Sequence, residues 1–198
     1  MKPISKIEID LTSKGKKIVG IDEVGRGSLV GPVVACAFML DTLDEKININ
    51  DSKKLTEKSR AYSFTQLMVA GSIFGLGYSS HDEIDKINIL NATKLAMIRA
   101  IENIQIIPDV LLIDGNEPLN TEIEEICIVK GDLNCTSIGA ASIIAKVTRD
   151  FILKKISRIF PHYNLERNKG YGTLEHLKLI KKYGPSPFHR KSFKIKQN

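Results

Sequence analysis

GIDEVGRGSLVGPV occupies residues 20–33, and this stretch decides the fold more than any other. It begins inside a short apolar strand, Ile18–Asp22, which ends in two adjacent acids, Asp22 and Glu23. Three glycines follow within seven residues, and Val33–Leu40 then forms a continuous apolar run that predicts a central strand. The segment therefore predicts two early strands joined at an acidic, glycine-rich loop.

Strands and helices alternate along the rest of the chain. Apolar runs predict further strands at about residues 73–78, 110–113 and 126–129, and helical periodicity predicts helices at about 57–70, 80–104, 136–160 and 173–183. Thr56 is a predicted N-cap for the first of these helices, and Ser80 and Glu83 match a capping box at the start of the second. Early antiparallel-looking strands followed by strand–helix pairs indicate an α/β domain, with a central mixed β-sheet flanked by helices. We expect one domain over residues 1–198, with a small helical C-terminal extension at about 161–198.

Composition excludes several classes of protein. No apolar run approaches the length of a membrane span, and the N-terminus lacks the apolar core of a signal peptide, so a cytoplasmic protein is expected. The three cysteines are odd in number and scattered, which argues against a disulfide framework and against a zinc site.

The net charge of +6 conceals an uneven distribution. Residues 151–198 carry twelve Lys and Arg against two acids, a balance of +10, which leaves −4 for residues 1–150. A basic C-terminal part on an acidic body suggests a polyanionic partner bound beside an acidic site. A merely solvated basic tail explains the charge equally well.

Acids follow three of the predicted apolar strands. Asp22 and Glu23 follow the first, Asp114 follows the strand at 110–113, and Asp132 follows the strand at 126–129. Carboxylates gathered at one edge of a sheet suit Mg²⁺ or Mn²⁺, and two such ions can act on a phosphodiester. Each acid taken singly is more commonly a turn residue. Neighbours on a regular strand face opposite ways, so Asp22 and Glu23 can share a site only if the strand breaks or twists there, which Gly25 and Gly27 immediately afterward allow.

The glycine loop, Gly25–Gly31, does not match a dinucleotide-binding motif. Its glycine spacing is G-x-G-x-x-x-G, and Pro32 and an apolar run follow where that motif requires a helix. Two glycines around Arg26 instead allow the backbone to approach a ligand, while the arginine can bind phosphate. The position of the loop directly after the acids strengthens this interpretation.

Several blocks of the sequence resemble the signature of ribonuclease HII, the bacterial type 2 ribonuclease H. They occur in that family's order and span about residues 18–193. The blocks are Gly20–Val33, Asp51–Leu55, Ile113–Gly115, Lys130–Asp132, Ser137–Asp150, Lys169–Thr173 and Gly184–Arg190. The resemblance implies a ribonuclease H-like fold and endonucleolytic cleavage of RNA in RNA–DNA hybrids. It also implies cutting 5′ of single ribonucleotides in duplex DNA, as in ribonucleotide excision repair, which leaves a 3′-hydroxyl and a 5′-phosphate.

The resemblance implies roles for individual residues as well. The family's four carboxylates, which hold divalent metal ions for two-metal-ion catalysis, correspond to Asp22, Glu23, Asp114 and Asp132. Its Gly-Arg-Gly loop and its tyrosine, both associated with the ribonucleotide 2′-hydroxyl, correspond to Gly25, Arg26, Gly27 and Tyr171. Phosphate contacts are expected at Lys53, Lys146 and Arg190, although a solvated or structural role is equally common for such residues. No membrane partner is expected, and we expect a monomer.

Three other functions remain to be weighed. The related type 3 enzymes carry an additional N-terminal domain, for which the acidic motif leaves no room at about twenty residues from the start. A catalytically inactive nucleic-acid-binding module of the same fold is disfavoured because all four acids are present. A small-molecule phosphatase on another α/β scaffold would act without regard to a 2′-hydroxyl in its substrate.

Overall fold

The computed structural model describes residues 5–40 and 56–194, and within them the chain forms a five-stranded sheet. The strands are β1 Ile18–Val24, β2 Val33–Leu40, β3 Phe74–Ser79, β4 Val110–Asp114 and β5 Glu124–Ile128. Their order is β3-β2-β1-β4-β5, in which β1–β2 and β2–β3 are antiparallel and β1–β4 and β4–β5 are parallel. The predicted mixed sheet is confirmed.

A helix precedes the first strand, and the other helices lie between later strands or after the last of them. They are α1 Lys6–Ser13, α2 Glu57–Val69, α3 His81–Glu102, α4 Gly131–Asn134, α5 Thr136–Ile159, α6 Leu165–Asn168 and α7 Leu174–Tyr183, with a 3₁₀ turn at Pro161–Tyr163. The N-cap predicted at Thr56 is confirmed, since its hydroxyl accepts a 3.1 Å hydrogen bond from the Ser59 amide. The capping box predicted at Ser80 and Glu83 is also confirmed. Local capping signals therefore located the starts of α2 and α3.

Helix α3 is kinked, where the periodicity predicts an uninterrupted helix. Asn88 interrupts it with φ +66° and ψ +167°. The Oδ1 atom of Asn88 accepts hydrogen bonds from the amides of Leu90 and Asn91 at 3.0 and 3.1 Å. An asparagine tolerates positive φ and can cap a new helical turn, so the second part of α3 starts afresh after Asn88.

Helix α1 does not follow from the sequence patterns, and it supplies a buried carboxylate to α5. Glu8 is fully buried, and its Oε2 and Oε1 atoms accept hydrogen bonds from the amides of Thr136 and Ser137 at 3.0 and 2.8 Å. The Ser137 hydroxyl donates a further bond of 2.7 Å. A carboxylate at this position satisfies the free amides of the first turn of α5 and complements its dipole.

Helices cover both faces of the sheet. Helix α3 packs on β1, β2 and β3 from one side, whereas α5 packs on β1 and β2 from the other side, with α2 beside it. Gly20 lets α5 approach closely, because a Cβ atom there would lie 2.4 Å from the amide nitrogen of Ile138. This contact places the first turns of α5 against β1, two residues before Asp22.

The C-terminal elements pack against the glycine loop rather than against the sheet. Val30 is fully buried in an apolar cluster that it shares with Leu153, Ile156, Tyr163, Leu165 and Ile180. The C-terminal quarter is thus in direct contact with the segment that follows Asp22 and Glu23.

In the part of the chain that the structure describes, no helix is both long enough and apolar enough to cross a bilayer.

Candidate active site

The parallel pairing of β1 with β4 brings two of the predicted acids together. Ile21 lies opposite Ile113 at the end of this ladder, and the next residues on the two strands are Asp22 and Asp114. Asp22 is only 4% exposed. Both acids face a cleft of about 440 Å³, which is lined by residues 22–27, Arg60, Asp114, Ser142, Lys146 and Tyr171.

Negative charge is concentrated at this end of the sheet. Burial raises the pKa of Asp22 well above its usual value, and the charges of Glu23 and Asp114 raise it further. Hydrogen bonds from the Ser142 hydroxyl and from the Glu23 amide, at 2.7 Å for the amide, act in the opposite direction. Burial raises the pKa of Glu23 too, although Arg26, with its Nη1 atom 3.3 Å from Glu23 Oε1, opposes this. A bound cation would remove this repulsion.

Glu23 reaches the cleft one residue before its strand ends. Strand β1 continues to Val24, which pairs with Val34 of β2, and the chain leaves the sheet at Gly25, the first of the two glycines at which a break or twist is predicted. The pairing of β1 with β4 ends at Ile21, so Glu23 has no β4 residue beside it. Glu23 therefore lies at an open end of the sheet, where a side chain of either face can border the cleft.

Asp132 is placed differently from the other three acids. It lies in α4, is 1% exposed and is not among the residues that line the cleft. The amide of the preceding residue, Gly131, donates a 2.7 Å hydrogen bond to Asp114 Oδ1. Among the described residues, no group of three or more Asp, Glu, His and Cys side chains is arranged so that it could hold a metal ion. Asp22, Glu23 and Asp114 thus line one cleft, and Asp132 directly follows Gly131, whose amide hydrogen-bonds Asp114.

A buried arginine supports the start of the glycine loop. Gly25 has φ +100°, and a Cβ atom there would lie 2.1 Å from the Nε atom of Arg149. The Arg149 side chain is fully buried and donates hydrogen bonds of 3.0–3.1 Å to the carbonyl oxygens of Pro32, Val30 and Lys169. Burial lowers its pKa. Gly25 is therefore required both by the backbone conformation and by the side chain packed under it.

Tyr171 lies beside the glycine loop. An isolated antiparallel bridge joins it to Ser28, and the amide of Leu29 donates a 2.8 Å hydrogen bond to the Gly170 carbonyl. A Cβ atom on Gly27 would lie 3.9 Å from the Tyr171 ring. The ring is 39% exposed and lines the cleft, so it is accessible to a ligand bound against the loop.

The three predicted phosphate contacts differ in where the structure places them. Lys146 lines the cleft and forms an ion pair with Asp150, while burial lowers its pKa against the opposing effect of Asp150. Arg190 does not line the cleft, since its buried guanidinium is bonded to the carbonyl oxygens of Arg26 and Gly31. Lys53 lies outside the described residues.

Two residues that line the cleft were not identified by the sequence analysis. Arg60 of α2 lies 3.9 Å from Asp150, and Ser142 hydrogen-bonds Asp22. Ser142 is one helical turn before Lys146, so its position on the same face of α5 is visible in the sequence. Arg60 carries no comparable signal, because only the packing of α2 against α5 brings it to the cleft.

The chain is similar to known proteins of one family. The sequence profile of the family Ribonuclease HII matches residues 19–196. The ribonuclease HII of Rickettsia akari (strain Hartford) is 48% identical over 193 residues, which cover 95% of this chain and 99% of the relative. That of Acetivibrio thermocellus is 51% identical over 180 residues, covering 90% of this chain and 70% of the relative.

A solved structure has the same fold. The crystal structure of the ribonuclease H2 from Pyrococcus horikoshii OT3 aligns with a TM-score of 0.73 and 27% identity, covering 89% of this chain and 93% of that one. The fold and the acidic cleft thus define a nuclease of the ribonuclease H class. Within that class, the chain belongs to the ribonuclease HII family and is a type 2 ribonuclease H.

Proposed function

We propose that this endonuclease hydrolyses the RNA strand of RNA–DNA hybrids and also cuts 5′ of single ribonucleotides in duplex DNA, leaving 3′-hydroxyl and 5′-phosphate ends. The observation that carries the proposal is that Asp22, Glu23 and Asp114 face the same cleft as Gly25–Gly27 and Tyr171. Groups that suit phosphodiester hydrolysis and groups that suit the recognition of one sugar therefore lie within one cavity. Such a cut is the first step in removing ribonucleotides from DNA.

The acids fit divalent metal ions by their chemistry. We propose that Asp22, Glu23, Asp114 and Asp132 hold Mg²⁺ or Mn²⁺, for which carboxylate oxygens are the favoured ligands. The raised pKa of Asp22 and of Glu23 reflects burial and charge repulsion that a cation would relieve. Bst-RNase HIII, a protein of similar fold, was crystallised in complex with Mn²⁺. It is 20% identical to this chain and aligns with a TM-score of 0.62, covering 85% of this chain and 63% of that one. When bound, metal ions stabilise the charge on the attacking and leaving oxygens.

Recognition of the ribonucleotide falls to the glycine loop and to Tyr171. The 2′-hydroxyl is the group that distinguishes RNA from DNA at a single sugar, so a selective enzyme must contact it directly. Gly25 and Gly27 both line the cleft, where Gly27 is exposed, and the Tyr171 ring borders the same space. Arg26 is half-exposed beside Glu23, where it can approach a phosphate.

Cations around the cleft fit the phosphate backbone of the duplex. Lys146 and Arg60 both line the cleft, and Asp150 holds them by ion pairs. We propose that they contact phosphates, that Lys53 does the same, and that the basic extension at about 161–198 of this single-domain chain binds the duplex further along. We also propose that the protein acts as a monomer in the cytoplasm.

The direct test is incubation of the purified protein and Mg²⁺ or Mn²⁺ with a DNA duplex that contains one ribonucleotide. We expect a single cut on the 5′ side of the ribonucleotide, with 3′-hydroxyl and 5′-phosphate ends, and none in an all-DNA duplex. Asp22→Asn should abolish the cut. Absence of cleavage in the wild-type protein would favour the inactive binding module, and a cut that survives Asp22→Asn would remove Asp22 from the chemistry.

A further inference from the structure

Residues 185–193, here called the anchoring segment, lie against the glycine loop although they are distant from it in sequence. The amide of Gly31 donates a 2.9 Å hydrogen bond to the Phe188 carbonyl, and the amide of Arg190 donates one of the same length to the Leu29 carbonyl. These bonds surround an isolated antiparallel bridge in the same region. The far end of the chain thus fixes the backbone of the loop.

The Arg190 side chain extends this contact to both ends of the loop. It is 3% exposed, and its Nη1 atom donates a 2.8 Å hydrogen bond to the Arg26 carbonyl. Its Nε and Nη2 atoms both donate to the Gly31 carbonyl, at 3.0 and 2.9 Å. Burial lowers the pKa of Arg190 to about 9, and the charge of Arg149 acts in the same direction. Within the described residues, the hydrogen bonds of this buried cation all go to carbonyl oxygens, so Arg190 serves to fix their geometry.

Asp85 of α3 attaches the anchoring segment to the body of the protein. Its Oδ2 atom accepts a 2.9 Å hydrogen bond from the Lys191 amide, and its Oδ1 atom accepts bonds from the amide and hydroxyl of Ser192 at 2.9 and 2.6 Å. Burial acts to raise the pKa of Asp85, but these hydrogen bonds outweigh it and lower the pKa overall. The carboxylate also interacts with the charge of Arg190.

We propose that Asp85 and Arg190 are positioning residues for the reaction: Asp85 fixes the anchoring segment, and Arg190 sets the backbone of Arg26 and Gly31. This inference rests on the proposed function, in which the loop reads the 2′-hydroxyl. Neither side chain lines the cleft, so both act through the loop. Displacement of a positioning group by about 1 Å can lower a rate by about 10²-fold. From the sequence, Arg190 is expected either to contact phosphate or to have a solvated or structural role, and Asp85 has no expected role.

Glu83 provides a matched control on the same helix. It accepts hydrogen bonds from Arg99 and from the Ser80 amide at 2.7–3.1 Å, and these bonds lower its pKa to about 2. Its contacts join α3 to β3 through the Arg99 bond to the Tyr78 carbonyl, with no link to the anchoring segment. Glu83→Gln therefore removes a comparable carboxylate without disturbing the loop.

The test measures kcat and KM on the single-ribonucleotide duplex for the wild type, Asp85→Asn and Glu83→Gln, together with hydrogen exchange of residues 25–33. For Asp85→Asn we expect kcat to fall about tenfold, KM to stay within about twofold, and exchange in the loop to accelerate. Glu83→Gln should keep the wild-type kcat and the wild-type hydrogen exchange of residues 25–33, even if the melting temperature of the variant falls.

Two results would overturn the inference: a wild-type kcat in Asp85→Asn, or an equal loss of kcat in Glu83→Gln. If Asp85→Asn does not fold, Ser192→Ala removes only one of the three donors and should still lower kcat, and an unchanged kcat would count against the inference. A wild-type protein that fails to cut at the ribonucleotide refutes the proposed function instead. Cleavage by the wild type with no response to these variants refutes only the positioning role.

Discussion

The backbone N–H of Gly131 donates a 2.7 Å hydrogen bond to the Oδ1 atom of Asp114. This bond connects the end of β4 to the start of α4, which carries Asp132. One oxygen of Asp114 is thus used to orient its carboxylate, and the negative charge of the group still acts on Asp22 and Glu23. The arrangement favours cation binding at the expense of the metal-free fold.

Asp114→Asn should therefore stabilise the metal-free protein while it impairs cleavage. The asparagine keeps an oxygen for the Gly131 amide but removes a charge that raises the pKa of Asp22 and of Glu23. We expect the free energy of unfolding without metal to rise by about 1 kcal/mol, and cleavage with Mg²⁺ to fall at least about 10²-fold. Urea unfolding in EDTA checks the first effect, and a metal-free variant less stable than the wild type would contradict it.

Gly25→Ala should be severely destabilising because its Cβ atom would meet the buried Arg149 side chain. The separation from Arg149 Nε would be 2.1 Å, at a φ of +100°. We expect a loss of about 3 kcal/mol or more in the free energy of unfolding, and loss of cleavage at ribonucleotides.

Gly15→Ala is the control for backbone conformation alone. Gly15 has φ +73° and no atom within 4 Å of an added Cβ, so the cost should be about 1–2 kcal/mol. Equal losses in Gly15→Ala and Gly25→Ala would show that contact with Arg149 adds nothing.

The buried Glu8 should contribute to stability but not to the reaction. Glu8→Gln replaces a carboxylate that accepts two amide hydrogens and a hydroxyl hydrogen at the start of α5, and we expect a loss of about 1–3 kcal/mol. The kcat of the folded enzyme should not change. Asp10→Asn is the control on the same helix, since Asp10 is exposed and pairs only with Lys14. Thermal unfolding that does not distinguish the two variants would contradict this account of α1.

His189 should contribute a loss of stability in mild acid, opposite in sign to the contribution of Asp22 and Glu23, whose pKa values are raised. Burial, and then the nearby charge of His176, lowers the pKa of His189 to about 4. The unfolded chain binds the proton more readily, so the contribution of His189 is full above about pH 6.5 and is lost as the pH falls towards about 4, by up to about 1.4 kcal/mol per pH unit. His176, whose pKa burial also lowers, adds to the loss. Urea midpoints from pH 7 to 4 test this, and His189→Asn should reduce the slope; an unchanged slope would contradict it.

The sequence predicted the sheet and the strand-end acids because these depend on local patterns. Apolar runs followed by acids located Asp22 and Asp114, and capping residues such as Ser80 located the helix starts. Asp22 lies beside Asp114 because β1 and β4, about ninety residues apart in sequence, pair in parallel. The sequence predicted that the acids gather at one edge of the sheet, but it did not predict this pairing or its register.

Long-range side-chain contacts could not be predicted in the same way. Glu8 bonds α5 across more than 120 residues, and Arg190 bonds the Gly31 carbonyl across more than 150. A basic residue near the C-terminus is indistinguishable in the sequence from a solvent-exposed phosphate ligand, and its burial against the loop arises only in the fold. The position of Arg60 in the cleft also arises only in the fold, through the packing of α2 against α5.

The most direct test of the central claim compares duplexes that differ at one 2′ position. The glycine loop and Tyr171 are proposed to recognise the 2′-hydroxyl, next to the acids that are proposed to bind metal. Wild-type protein with Mn²⁺ should cut a duplex with one ribonucleotide and leave the matched 2′-deoxy and 2′-fluoro duplexes intact. Tyr171→Ala should reduce the ribonucleotide rate by at least about 10²-fold. Equal cutting of the ribonucleotide and 2′-fluoro duplexes, or an unchanged rate in Tyr171→Ala, would contradict it.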